Sequence, residues 1–310
     1  MPAFRILAAL AVLAAVTLAG CAKGGADDGS ASGRTVVATT TQVGDLTSAV
    51  AGRRATVRTI LDPGADPHAY EPRPSDVRAI GGAQVVVRSG GDLDAWLGDV
   101  LRNAGSDALT VTVADELVPG SESRGKDPHW WQDPRAAAIA VKTILGALGD
   151  ADPDGRAAYE SNARGYLREL RALDQAIATC MARIPARRRR LVTDHDALGH
   201  YARRYGIEVI GTVIPALSTQ AQTSGGEVAR LVRTIRSAGV STIFPERSVN
   251  PKLTRAIARD AGAAVGSALY ADSLGPPGSP GATYLGSLRA NTAALASGFS
   301  DGRRRCELPG

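Results

Sequence analysis

Four histidines in a chain of 310 residues are few enough for their positions to carry information. His68 and His129 each close an Asp-Pro-His triplet, Asp66-Pro67-His68 and Asp127-Pro128-His129, while His195 and His200 share the stretch from Thr193 to Tyr201. A neutral imidazole offers a nitrogen lone pair to a borderline metal ion, which makes histidine the commonest side-chain metal ligand. A lone histidine is more often a hydrogen-bonded structural residue. Three at equivalent points of a repeating fold are another matter, and with one carboxylate they would make a closed four-ligand site for a divalent transition metal. Asp272 and Glu246 are the two candidates for that carboxylate. His200 lies five residues beyond His195, on a predicted helix, and so points away from the other three.

The elements that must position these residues alternate in type. Strand candidates are residues 35–41, 56–61, 84–88 and 109–113, separated by helical stretches at 45–50, 75–80 and 93–103, with a further helix at 133–148. A second unit follows, with strand candidates at 190–193, 208–213, 241–244 and 264–270 and helices at 197–205, 226–238, 251–261 and 283–299. Strands alternating with helices predict an α/β fold of two lobes, each a mostly parallel sheet flanked by helices. In such sheets ligands bind beyond the carboxyl ends of strands. His68, His129 and His195 each follow a predicted strand, and Asp272 ends the last one, so the metal is expected in the cleft between the lobes. Proline before His68 and before His129 restricts the backbone that presents them.

Between the two units, Tyr159, Ala163, Tyr166, Leu170, Leu173, Ile177, Cys180 and Ile184 alternate spacings of four and three. That period predicts one continuous apolar stripe on a single long helix. Asp152 stands where it can cap the helix, Pro153 sits at its first turn and Pro185 ends it. The helix is expected to run down both lobes and join them, in a chain that is a monomer; small Ala163 and the polar flanks argue against a coiled-coil dimer. The domain division read here is 34–150 for the N-terminal lobe, 151–185 for the linking helix and 186–310 for the C-terminal lobe.

The N-terminus carries an address. Arg5 precedes an apolar run from Ile6 to Leu18, too short for a comfortable membrane span, and small residues follow it. Residues 1–20 thus read as a secretory signal, and Leu18-Ala19-Gly20-Cys21 resembles the bacterial lipobox, in which the cysteine is lipidated. Residues 21–33 are rich in Gly, Ser, Ala and Asp, as in a flexible tether. The expected location is outside the cytoplasmic membrane, periplasmic or held to membrane lipid through Cys21. That compartment favours a disulfide between the two remaining cysteines, Cys180 and Cys306, against the alternative of two buried thiols.

Composition narrows the function further. Hydrophobic residues make up 44% and charged residues 22%, so the chain is globular, not disordered. A net charge of +5 invites nucleic acid as a partner, but the arginines are scattered apart from Arg187 to Arg190, and three Phe supply few stacking surfaces. Nucleic-acid binding is not expected. The Arg187–Arg190 run reads as a solvated loop before a strand.

Several stretches together resemble the solute-binding proteins of the zinc/manganese ABC transporter family. They are His68-Ala69-Tyr70-Glu71-Pro72, the segment from Asp127 to Pro134, His195 to Tyr201, Phe244-Pro245-Glu246, Asn250-Pro251-Lys252 and Asp272 to Gly275, with Tyr284, Leu285 and Asn291 beyond. They fall in order along essentially all of the chain after the leader. The resemblance implies metal ligation by His68, His129, His195 and Asp272, with Glu246 a supporting residue beside the site; His200, from its place in the helix, reads as structural or supporting. It implies two lobes on one rigid helix, high-affinity capture of a metal ion, and delivery to a membrane permease with its ATPase. Three imidazoles with one carboxylate suit Zn2+. The chain lacks the His-rich loop that many zinc members carry before the second ligand, as Glu116 to Lys126 holds no His, and this leaves a Mn2+ or iron member of the family as the alternative. A zinc hydrolase is the rival from another class. Four protein ligands would close the site to a reacting water, and no His-Glu-x-x-His motif is present. No enzyme activity is expected. A surface adhesin is a further rival that anchoring alone does not separate.

Overall fold

The computed structural model describes residues 33–117 and 127–310. The expected leader, Cys21, nearly all of the tether and the loop from 118 to 126 lie outside the described residues.

The first sheet is built from β1 (Thr35–Ala38), β2 (Thr56–Thr59), β3 (Val85–Arg88) and β4 (Leu109–Thr112), all parallel, in the order β2-β1-β3-β4. Alternation along each strand divides the side chains between two cores. Val36, Ala38, Val85 and Val87 face one, and Val37 and Val86 face the other with Ile80, Leu97 and Val100. Both faces are therefore covered, which is why β3 is an unbroken apolar run rather than an alternating one. Helices α1 (Thr41–Ala51) and α4 (Pro134–Ala151) cover the first face; α2 (Pro74–Gly81) and α3 (Leu97–Ala104) cover the second.

In the second half, β5 (Arg190–Thr193) pairs in parallel with β6 (Glu208–Thr212), and β7 (Thr242–Ile243) with β8 (Ala264–Val265). A parallel bridge from Thr193 to Phe244 links the two pairs. Helices α6 (Gly199–Tyr205), α7 (Gly225–Ala238) and α8 (Lys252–Ala261) run between them, and α9 (Tyr284–Phe299) follows. The last two strands are shorter than their sequence pattern predicts. Pro245 has no N–H to continue β7. Gly266 passes so close to Phe244 that an added Cβ would lie 2.7 Å from the ring. The chain leaves the ladder there and rejoins it through a bridge from Leu269 to Glu246.

The linking helix is α5 (Arg156–Ala182), 27 residues or about 40 Å. Asp152 caps a short turn, Pro153–Gly155, that leads into it. Tyr159, Ala163, Leu170, Leu173 and Ile177 are buried on one face, whereas Tyr166 and Cys180 are only half-buried. Met181 and Asp174 complete the buried stripe. The Asp174 carboxylate accepts from Arg204 Nε at 3.0 Å and from the Tyr205 hydroxyl at 2.8 Å. The first part of α5 packs on α1 and α4, and the later part on α6 and α9, so the helix touches both halves. A disulfide joins Cys180 to Cys306, with Cα atoms 5.7 Å apart, and fixes the tail beyond α9 to the end of α5. The arginine run is not a free loop. Arg189 donates to the Tyr205 carbonyl at 2.8 Å, Arg190 to the Ala238 carbonyl, and Arg188 pairs with Asp301 at 2.7 Å.

Candidate metal centre

Each of the three histidines is presented by a short device that its local sequence dictates. Asp66 caps the turn Pro67–Ala69, its Oδ1 accepting from the His68 N–H at 2.9 Å. Asp127 does the same for His129 at 3.1 Å, and also accepts from His129 Nδ1 at 2.8 Å. The turn after β3 makes room for this segment: Gly91 sits at φ +66°, and a Cβ there would be 2.9 Å from the Pro128 ring. Buried Trp130 and Trp131 follow His129, and Trp130 Nε1 donates to Ser89 Oγ at 3.1 Å. His195 leaves the end of β5 straight onto Glu246, whose two oxygens accept from its backbone N–H at 2.9 Å and from its Nδ1 at 2.6 Å. Asp272 follows Tyr270, which Asn291 grips twice, accepting from its N–H and donating to its carbonyl, both at 2.8 Å.

These four residues converge. One ligand atom from each of His68, His129, His195 and Asp272 lies within 4.8 Å of all the others. His129 Nε2 is 3.4 Å from both His68 Nε2 and His195 Nε2. Asp272 Oδ2 is 3.1 Å from His195 Nε2 and 3.5 Å from His68 Nε2, and its Oδ1 is 3.4 Å from His129 Nε2. His129, His195 and Asp272 are buried, and His68 keeps 7% of its side chain exposed, so the cluster reaches solvent on the His68 side.

The electrostatics call for a cation. A carboxylate only accepts, so the Nδ1 atoms of His129 and His195 carry protons and their Nε2 lone pairs face inward. Neither oxygen of Asp272 meets a donor in hydrogen-bond geometry, although both are buried. Buried acceptors without partners are costly. Burial opposes a charged imidazole at His195, but the Asp272 and Glu246 carboxylates outweigh it and push His195 up to about 11. Burial would raise Asp272, but the imidazoles of His195 and His68 hold it well below the usual carboxylate range. Glu246 is raised by burial against the pull of His195. Without metal, a proton on His195 supplies the positive charge that the inward-facing acceptors require; a divalent ion would supply more.

The residues singled out from the sequence thus separate into two groups. Glu246, the rival fourth ligand, sits behind His195 and not among the inward-facing atoms. His200 Nε2 lies 3.3 Å from Asp127 Oδ2, on the far side of that carboxylate from His129. Asp127 is the residue that sequence reading does not single out, although the repeated Asp-Pro-His triplet contains it; the aspartate, besides the proline, holds the turn. Asp66 is its counterpart but turns its second oxygen to Thr219 Oγ1, at 2.6 Å, across the boundary between the halves. Nothing in the sequence marked Thr219.

Parallel sheets packed along one long helix enclose a buried cluster of histidine nitrogens and carboxylate oxygens of the kind that can hold a metal ion. Residues 36–298 match the family described as "Zinc-uptake complex component A periplasmic", and the chain belongs to that family. It is a substrate-binding protein of metal ABC transporters, which work with a membrane permease and an ATPase, and it is not an enzyme. It is 31% identical over 290 residues to the manganese-binding lipoprotein MntA of Halalkalibacterium halodurans, covering 92% of this chain and 95% of the relative. The iron-binding protein YfeA of Yersinia pestis is 29% identical, covering 85% and 86%. Among solved structures, the periplasmic zinc-binding protein TroA of Treponema pallidum superposes with a TM-score of 0.80 at 27% identity, over 86% of this chain and 99% of that one. The protein acts outside the cytoplasmic membrane, as the periplasmic family to which it belongs does, and several relatives are named lipoproteins. Among the described residues, no helix is long and apolar enough to cross a membrane.

Proposed function

We propose that the protein captures one zinc ion through His68 Nε2, His129 Nε2, His195 Nε2 and an oxygen of Asp272, and delivers it to the permease of an ABC transporter. One observation carries this reading. Three of the four converging ligand atoms are imidazole nitrogens, and three nitrogens with one carboxylate oxygen suit the low coordination number of zinc. Glu246 and Asp127 hold the ligand histidines by their Nδ1 atoms, the outer support that metal-bound histidine requires.

A manganese or iron cargo is the second reading. Both oxygens of Asp272 face the cluster, so the carboxylate could bind through two atoms and raise the coordination number. Relatives named for manganese and iron point the same way. Affinity alone favours zinc over manganese at most nitrogen and oxygen sites, so uptake of zinc against manganese by cells that depend on this protein separates the two, with His68→Ala as control. Zinc is expected in excess; a manganese majority would overturn the zinc assignment and leave the receptor role intact.

Further parts of the proposal are lipidation at Cys21, monomeric action, and a division into lobes 34–150 and 186–310 on the linking helix 151–185. Release would begin at His68, the ligand nearest solvent. Asp272 is the more firmly held of the two. The carbonyl of Ala271 accepts from Trp131 Nε1 at 2.8 Å and from Gln132 Nε2 at 2.9 Å.

A further inference from the structure

The structure gathers arginines that lie far apart in the sequence at one end of the molecule. Residues 183–190 carry five arginines, and the tail after α9 carries three more at 303–305. The Cys180–Cys306 disulfide and Asp301 bring the two groups together. Asp301 Oδ2 accepts from Arg188 and from Arg303, each at 2.7 Å, so those two guanidinium groups share one oxygen. The acidic residues within these two segments or ion-paired with them are Asp301, Glu307 and Glu208, the last beside Arg190 at 3.4 Å. The excess of five equals the formal net charge of the whole chain, +5, so the rest of the molecule is close to neutral and its positive charge is concentrated at this end. Arg183, Arg187, Arg304 and Arg305 are exposed. Arg187, Arg188 and Arg190 also line a hollow of about 360 Å³ together with Ser241 and Thr242.

The position of this end matters as much as its charge. It lies at the C-terminal end of α5. The other end of α5 meets the start of the described chain, where Arg34 donates to the Ala151 carbonyl at 3.1 Å and pairs with Asp152. The root of the tether and the arginine end are therefore about 40 Å apart, at opposite ends of one stiff helix.

We propose that the arginine end is a docking surface for the anionic phospholipid headgroups of the membrane on whose outer side the protein works. The proposal rests on the export and anchoring reading given above. Each arginine near an anionic bilayer adds to the attraction, and one lipid anchor joined to a polybasic patch holds better than either alone. With the start of the described chain at one end of α5 and the patch at the other, the molecule lies along the bilayer. The junction of the halves, midway along α5, is then held at the height of a permease. Arginine stays charged at any physiological pH, so this contact is governed by salt and lipid charge and not by pH.

The test uses the full chain carrying Cys21→Ser, so that no lipid contributes. Sedimentation with vesicles of equal parts phosphatidylglycerol and phosphatidylcholine is compared with pure phosphatidylcholine. Binding is expected to the anionic vesicles alone and to weaken with added salt. The combined variant Arg187→Glu, Arg304→Glu and Arg305→Glu changes side chains without recorded hydrogen bonds, and should lose at least about tenfold in binding. The matching lysine variant should stay within about threefold of the parent. Equal binding to both vesicle types, an undiminished glutamate variant, loss in the lysine variant, or binding to soluble polyphosphate but not to vesicles would each overturn the proposal. Zinc uptake by the same variants, measured in parallel, shows that the fold is intact. Failure of metal binding in the parent would instead count against the receptor reading, and lipidation of the Cys21 chain is read independently by mass.

Discussion

At the scale of single residues, the metal centre competes with protons. His195 is pushed up to about 11 in the metal-free protein, above the 6.5 of a free imidazole. The sign follows from a raised value. The charged His195 stabilises the metal-free fold fully below about pH 6.5, and that contribution is lost as the pH rises toward 11. Metal must displace the proton, so affinity for zinc should fall about tenfold for each unit of pH lost between 8 and 6. Competition titrations at three pH values check this, and a flat affinity between pH 7 and 8 would refute it. Asp127 provides a second test. Asp127→Asn removes a charged acceptor from His129 Nδ1 and should weaken zinc binding about ten- to a hundredfold, leaving thermal stability nearly unchanged. The three histidines were legible because strand ends predict where ligands gather. The choice of Asp272 over Glu246 was not legible from spacing, since both follow strands of the same sheet. Only the bridge between Glu246 and Leu269 decides which carboxylate stands behind the imidazole and which in front.

At the scale of elements, α5 is fastened at both ends. Asp152 accepts from Arg54 Nε at 2.8 Å and from the Tyr159 hydroxyl at 2.8 Å, and the Arg54 hydrogen bond leads in holding its carboxyl down to about 2. Because this value is lowered, the stabilisation is present above about pH 4 and is lost as the pH falls through 2. Asp152→Asn should cost about 2 kcal/mol by urea denaturation at pH 7, with the difference shrinking at acid pH. At the other end the disulfide closes 126 residues, and a chain-entropy account gives it about 4–5 kcal/mol. Cys306→Ser should lower the denaturation midpoint accordingly, whereas zinc affinity should stay within about twofold. The helix itself was plain in the sequence because its apolar period is long and unbroken. Its polar anchor, Asp174 with Arg204 and Tyr205, was hidden because a buried aspartate breaks the apolar stripe that period reading follows. The short β7 and β8 were overestimated for a related reason: apolar runs there mark burial, while Pro245 and Gly266 set where pairing stops.

At the scale of the whole molecule, polar contacts lock the two halves together around the centre. Gly64 N–H donates to Ser273 Oγ at 2.7 Å, Leu274 N–H to Thr41 Oγ1 at 2.9 Å, and Tyr284 N–H to Asp45 at 2.9 Å. The Thr219 hydroxyl reaches Asp66, which also holds the turn that presents His68. Thr219→Val keeps the shape and deletes that hydrogen bond. It should speed zinc release about three- to tenfold in a chelator-chase experiment while leaving the association rate unchanged. An unchanged release rate would show that the Thr219 contact does not restrain His68.

The disulfide has a consequence for how the protein is made. A chain is made from its N-terminus onward. Cys180 then emerges well before Cys306, which lies beyond every described strand and helix. The bond can close only once the chain has been made as far as Cys306, so a chain that stops or is clipped before it is left with an unpaired thiol at Cys180.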